Sequence, residues 1–168
     1  MIYENLPIEF ENLPQLKEVK FTPLEKDYLW LRLSRLGLIF FLLLSAAILY
    51  GIFTSKFDWW LFPVIVSVIF ILLTSIEIVG FRIKGFAIRE HDISYRSGLI
   101  FYSLTSVPFN RIQHTEVSQN PIERLFDLAQ VRVYTAGGSS SDISIPGLTQ
   151  KDAHRLKDHL AKISSGNE

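Results

Sequence analysis

The chain has 168 residues with 17 Lys and Arg against 17 Asp and Glu, so its net charge gives no argument for binding nucleic acid. Apolar residues make up 48% of it but are segregated: positions 36–81 hold one basic residue, Lys56, and two acidic ones, Asp58 and Glu77, which marks a membrane segment rather than one globular core. The absence of cysteine excludes disulfides, thiol catalysis, iron–sulfur clusters and Cys-ligated zinc, and suits a domain facing the reducing cytoplasm.

Residues 1–21 are mixed and acidic, with "ENLP" at Glu4–Pro7 and again at Glu11–Pro14. One pair of copies is too little for a repeat architecture, and the expectation is a solvated tail. A docking segment that binds a partner or a sheet edge is the alternative. "TPLE" at Thr22–Glu25 has the form of a capping box, with Thr22 as N-cap, Pro23 at N1 and Glu25 at N3. It predicts a helix from Pro23 to about Phe53 whose first turns lie in the headgroup zone.

Within that helix, Leu36–Phe53 is an uncharged run of 18 residues, and Trp59–Ile76 is a second, extended by apolar residues to about position 80. At 1.5 Å per residue each reaches roughly 27 Å, close to the hydrocarbon thickness of a bilayer. Only Thr54–Asp58 lies between them, which predicts a transmembrane hairpin over 22–81 with spans at 36–53 and 59–80. A signal peptide does not fit, because the run is too long and 35 residues precede it. Tyr28, Trp30, Trp59 and Trp60 stand where interfacial aromatics belong. Lys17, Lys20, Lys26, Arg32 and Arg35 precede the first span, and Arg82, Lys84 and Arg89 follow the second. The tip has Lys56 alone. By the positive-inside rule the protein is multi-pass, with both termini in the cytoplasm. Glu77 reads as a carboxylate near the cytoplasmic end that reaches water or pairs with Arg32 or Arg35, rather than as an ion site.

From Arg82 the pattern changes to period two. Phe86 and Ile88, then Ile93 and Tyr95, alternate with polar residues around a turn at "REHD". Leu99–Phe109 is rich in aromatic and β-branched residues, "AQVRVYTA" alternates, "GGSSSD" is a turn, and Ile143–Ile145 is a short strand closed by Pro146–Gly147. Thr149 and Asp152 then open a helix with Ala153, Leu156, Leu160 and Ile163 on one stripe. Residues 82–164 thus form a mainly β, α+β small barrel or sandwich capped by a C-terminal helix, and 165–168 a short tail.

The stretch "VPFNRIQHTEVSQNPIERLFDLAQVRVYTAGG", with "ISIPGL" after it, resembles the bacterial pleckstrin-homology-like domain of YdbS-like membrane proteins. Pro108, Arg111, Gln113, His114, Gln119, Pro121, Glu123, Arg124, Gly137 and Gly138 carry the likeness. It implies a strand at "NRIQHTEVSQ", a short helix at "NPIERLFD" capped by Asn120 with Leu125 and Phe126 facing the core, and a positive φ at Asp127 where the family has Gly. It also implies an envelope-associated protein working with a larger membrane partner that bears similar domains.

No catalytic constellation is evident. His114 and Glu116 share a strand face with Arg111 nearby, but no third group orients them. His154 and His159 are five apart, not the four of a helical zinc motif, and "GGSSSD" lacks both a nucleophile elbow and a phosphate-loop Lys. The expectation is a non-enzymatic integral membrane protein, without cofactor, metal or small-molecule substrate, whose domain assembles with its own copies or another membrane protein. The alternatives are an anionic-lipid-binding module, with Arg32, Arg35, Arg82, Lys84 and Arg89 as membrane-surface contacts, or an accessory subunit of a transport complex. Residues 82–168 carry 11 basic and 9 acidic residues, which supports adhesion to headgroups but no specific pocket.

Overall fold

A computed structural model describes residues 19–54, 59–136, 142–164 and 166. Residues 1–18 of the N-terminal tail, 55–58 of the hairpin tip, Gly137 and Gly138 lie outside them. In chain order the elements are β1 (Thr22–Pro23), α1 (Lys26–Thr54), α2 (Leu61–Ile83), β2 (Gly85–Ile88), β3 (Asp92–Ser97) and β4 (Ser103–Pro108). A 3-10 turn at Phe109–Arg111 follows, then β5 (Ile112–Ser118), α3 (Pro121–Leu125), β6 (Leu128–Thr135), β7 (Ile143–Thr149) and α4 (Gln150–Ser164).

The two long helices are apolar around their whole circumference and almost unburied, as lipid-facing helices are. They pack on each other through Phe40 and Phe70, stacked with ring centroids 4.2 Å apart. Near the tip the Trp59 ring lies against Gly51, where a Cβ would come within 2.4 Å of Cε3. Only a glycine allows that approach. The second helix starts two residues later than expected and runs three past position 80, to Ile83.

The β strands form two antiparallel sheets, ordered β1-β2-β3-β4 and β5-β6-β7. Their inner faces meet where β7 packs against β3 and β4, and α4 covers the second sheet. The stripe predicted for α4 is the one that buries Ala153, Leu156 and Leu160, and Thr149 caps it by accepting from the Asp152 N–H at 3.1 Å. Ile93, Leu128, Val131, Val133, Ile143 and Ile145 are almost fully enclosed between the layers. Leu24, Tyr28 and Leu31 belong to the same core, so packing crosses the expected division at residues 81 and 82.

Four local expectations are corrected. Thr22–Glu25 is no capping box: Thr22 and Pro23 are extended and pair with Phe86 and Gly85, so the helix begins at Lys26. Proline fits there because an edge strand does not need its N–H. Leu99–Phe109 is not one strand; β4 starts at Ser103, because Gly98, at φ +91°, turns the chain and leaves 99–102 as a loop. The last strand does not stop at Ile145 but runs through Pro146 and Gly147 to Thr149, with Gly147 at φ +65° and a register shift opposite, between Ala129 and Val131. Leu125 does not face the core. It is 83% exposed, while Phe126 packs inward, because the one-and-a-half-turn α3 is anchored by buried Glu123 instead.

Candidate functional site

The family-motif corner turns out to be architectural. Asn120 Oδ1 accepts from the Glu123 N–H at 2.8 Å and Glu123 Oε2 accepts from the Asn120 N–H at 2.9 Å, with Pro121 at the first turn: a full capping box. Asp127, where the resemblance expects a Gly, takes φ 52°, and its carbonyl accepts from the Gln150 N–H at 3.2 Å. Gln119 Nε2 donates to the Leu128 carbonyl at 2.6 Å, holding the two ends of the corner together. His114 stacks on Tyr134 with centroids 4.2 Å apart, and the Tyr134 hydroxyl donates to Glu116 at 3.0 Å. Tyr134 therefore separates the roles of His114 and Glu116, which face it rather than each other. Pro108 ends β4 opposite Asp92, and Arg111, Gln113 and Arg124 project to solvent.

The cations expected at the membrane surface divide into two groups. Arg32 Nε and Lys84 Nζ both reach Glu77 Oε1, at 2.7 and 3.0 Å, so one carboxylate joins the first helix, the second helix and the start of β2. Arg89 pairs with Asp92 across the β2–β3 turn. Arg35 and Arg82 are exposed and make no ion pair among the described residues. Beside the Glu77 cluster, burial pushes the Tyr95 phenol up to about 12; Tyr28 adds to the rise and Arg32 opposes it.

That junction was not legible as such in the sequence. The Glu25 N–H donates to the Gly147 carbonyl at 2.9 Å, and the Tyr28 ring lies on Gly147 so closely that a Cβ there would meet Cγ at 2.6 Å. The first turns of α1 are seated on β7. A Gly after Pro in a strand, with an aromatic at the start of the first helix, was the available signal.

A groove of about 670 Å³ opens between β2 and α4. Phe86 and Ile88, two apart on one strand face, form one wall, and Leu156 with Leu148 forms the floor. Asp152, Arg155, Asp158 and His159 rim it from the helix. Because β1 pairs only with Gly85 and Phe86, the outer edge of β2 at Ala87 and Ile88 has no strand partner among the described residues. A groove with an apolar floor and a largely charged rim, which Glu25 and Lys162 also line, lies beside an open edge and suits an extended or helical protein segment that carries charge of its own. Among the described residues no three His, Asp or Glu side chains converge as metal ligands would.

Two lipid-facing helices followed by two packed antiparallel sheets and a closing helix define a membrane protein bearing a pleckstrin-homology (PH) domain. The Bacterial PH domain family matches residues 31–163, and the chain belongs to it. The UPF0699 transmembrane protein YdbS of Bacillus subtilis (strain 168) is 31% identical over 86 residues, which is 51% of this chain and 52% of that protein. The UPF0699 transmembrane protein YdbT of the same strain is 24% identical over 97 residues, 57% of this chain and 20% of that protein. The chain thus spans about half the length of the first relative and a fifth of the second. No solved structure matches it significantly.

Proposed function

We propose that the protein is a non-enzymatic membrane adaptor, with its PH domain on the cytoplasmic face, that assembles with a second PH-bearing membrane chain through the groove between β2 and α4. The partner is another copy or a larger protein with a similar domain. The observation that carries this reading is the open edge of β2 beside an apolar-floored groove. Similarity to two transmembrane proteins of one strain, in one of which the matching region is only 20% of the length, supports a setting where such domains meet.

The test uses the full chain in native membranes, with a photo-crosslinking residue at Ile88 or Arg155 and a control at Arg124. The expected result is a discrete adduct from the two groove positions only, with the linked peptide coming from a PH domain of another chain. Monomer alone, or equal labelling at all three positions, would sink the proposal. So would linkage into residues 1–18 of the same chain, which would assign the groove to the tail.

A second reading, electrostatic adhesion to anionic headgroups, rests on Arg35 and Arg82. Each contributes about 1 kcal/mol near a charged surface. Arg32, Lys84 and Arg89 add less, since carboxylates already neutralise them. A transport role gains nothing from Glu77, whose charge is held by Arg32 and Lys84.

A further inference from the structure

The loop between β3 and β4 reads "GLIFY", and its side chains are turned outward: Ile100 is 68% exposed, Phe101 88% and Tyr102 62%. Leu99 and, just beyond the loop, Leu104 are also exposed. Scattered apolar residues on a surface need no explanation, but a consecutive run at a hairpin tip does. The tip is also well formed. Gly98 sits at φ +91°, and a Cβ on it would lie 1.9 Å from the Phe101 carbonyl oxygen, so the loop closes tightly over its own glycine.

Its position follows from the register. The second span ends at Ile83 and passes straight into β2, which leads away from it. β3 returns antiparallel, with Arg96 opposite Gly85, the first residue of β2. Every residue after Arg96 therefore overshoots the start of the sheet and heads back toward the span. Leu99 completes that return: a Cβ built on Gly80, inside α2, would lie 3.7 Å from the Leu99 Cβ. Gly80 is one turn short of the helix end, so Ile100 and Phe101 project at the depth where the lipid-facing surface of α2 begins. The opposite turn of the same sheet, Arg89–His91, carries charged and polar residues, as an end in water should.

We propose that Leu99–Tyr102 inserts into the boundary between headgroups and acyl chains, as a third membrane contact that fixes the tilt of the PH domain. Phe101 and Ile100 would be solvated by lipid, and Tyr102 would keep its hydroxyl among the headgroups, the preference of amphipathic aromatics. Lipid is favoured over a protein occupant because the tip is continuous with a helix surface that is itself bilayer-facing. This inference is independent of what occupies the groove.

The chain has no cysteine, so a single introduced one is labelled uniquely. Phe101→Cys and, separately, Ile100→Cys would carry a nitroxide in the full chain, reconstituted in vesicles of phosphatidylethanolamine and phosphatidylglycerol. Power saturation then compares collisions with oxygen, which partitions into lipid, and with a water-soluble nickel chelate. The expected result is oxygen exceeding nickel at both positions, as at Leu43→Cys in the first span, with the reverse at Glu90→Cys in the far turn. Nickel exceeding oxygen at 100 and 101 would place the tip in water and overturn the proposal. Low collision with both reagents would show a protein covering it, and would overturn it equally. Both side chains lie outside the core, and two positions guard against one disruptive substitution.

Discussion

Gly147→Ala is expected to destabilise the folded domain by about 3 kcal/mol, and to do so by unseating the first helix. Two costs combine. At φ +65° an L side chain is strained by roughly 1–2 kcal/mol. The new Cβ would also lie 2.6 Å from Tyr28 Cγ and 2.7 Å from its Cβ; a change of χ1 would move Cγ, but no rotamer moves the Cβ. Either β7 or α1 has to move, and the bond from the Glu25 N–H to the Gly147 carbonyl goes with it. Denaturant unfolding in detergent micelles measures the loss. Adding Tyr28→Gly, which removes the Tyr28 Cβ as well as the ring, should recover the steric part and leave the backbone part, so the double variant is more stable than the sum of the single changes implies. Strict additivity would mean the two residues do not meet.

Glu77→Gln is the second large effect, about 2 kcal/mol. The Glu77 side chain is 14% exposed and Lys84 15%, so removing the carboxylate strands a nearly buried ammonium, while Arg32, at 41%, escapes partly to water. That asymmetry sets the figure below the full cost of breaking a wholly buried pair. Lys84→Gln on the Glu77→Gln background should restore roughly half of the loss, because the stranded charge, rather than a missing contact, is the main penalty. No recovery would place Lys84 in water. The same thermal or denaturant unfolding measures both variants.

The long elements were readable because they rest on simple periodicities. Uncharged runs of bilayer length forecast the hairpin, alternation around "REHD" forecast β2 and β3, and Leu156 and Leu160 forecast the buried stripe of α4. The corner from Gln119 to Asp127 was readable down to its cap, because Asn, Pro and Glu at those spacings satisfy the exposed amides of a helix start. What escaped depended on contacts distant in sequence. "TPLE" satisfies the local rules of a cap, yet Thr22 and Pro23 are claimed by β2, some 60 residues on. The resemblance implied a core-facing Leu125, but buried Glu123 sets the phase of so short a helix. Leu99–Tyr102 has strand-like composition, and only Gly98 marks that the strand has already ended. The groove was invisible for the same reason: its wall at Phe86 and its floor at Leu156 come from opposite ends of the domain.

The PH domain is clamped to the membrane hairpin by a shared core, so that its groove is presented at a fixed angle to the bilayer. Hydrogen exchange on the full chain in lipid nanodiscs tests this most directly, at the amides of Tyr28–Leu31 and of Ile143–Leu148. The clamp predicts equal protection in the two segments and a joint loss in the Gly147→Ala variant. Rapid exchange at Tyr28–Leu31 while Ile143–Leu148 stays protected would contradict it, leaving a domain that merely trails from its anchor.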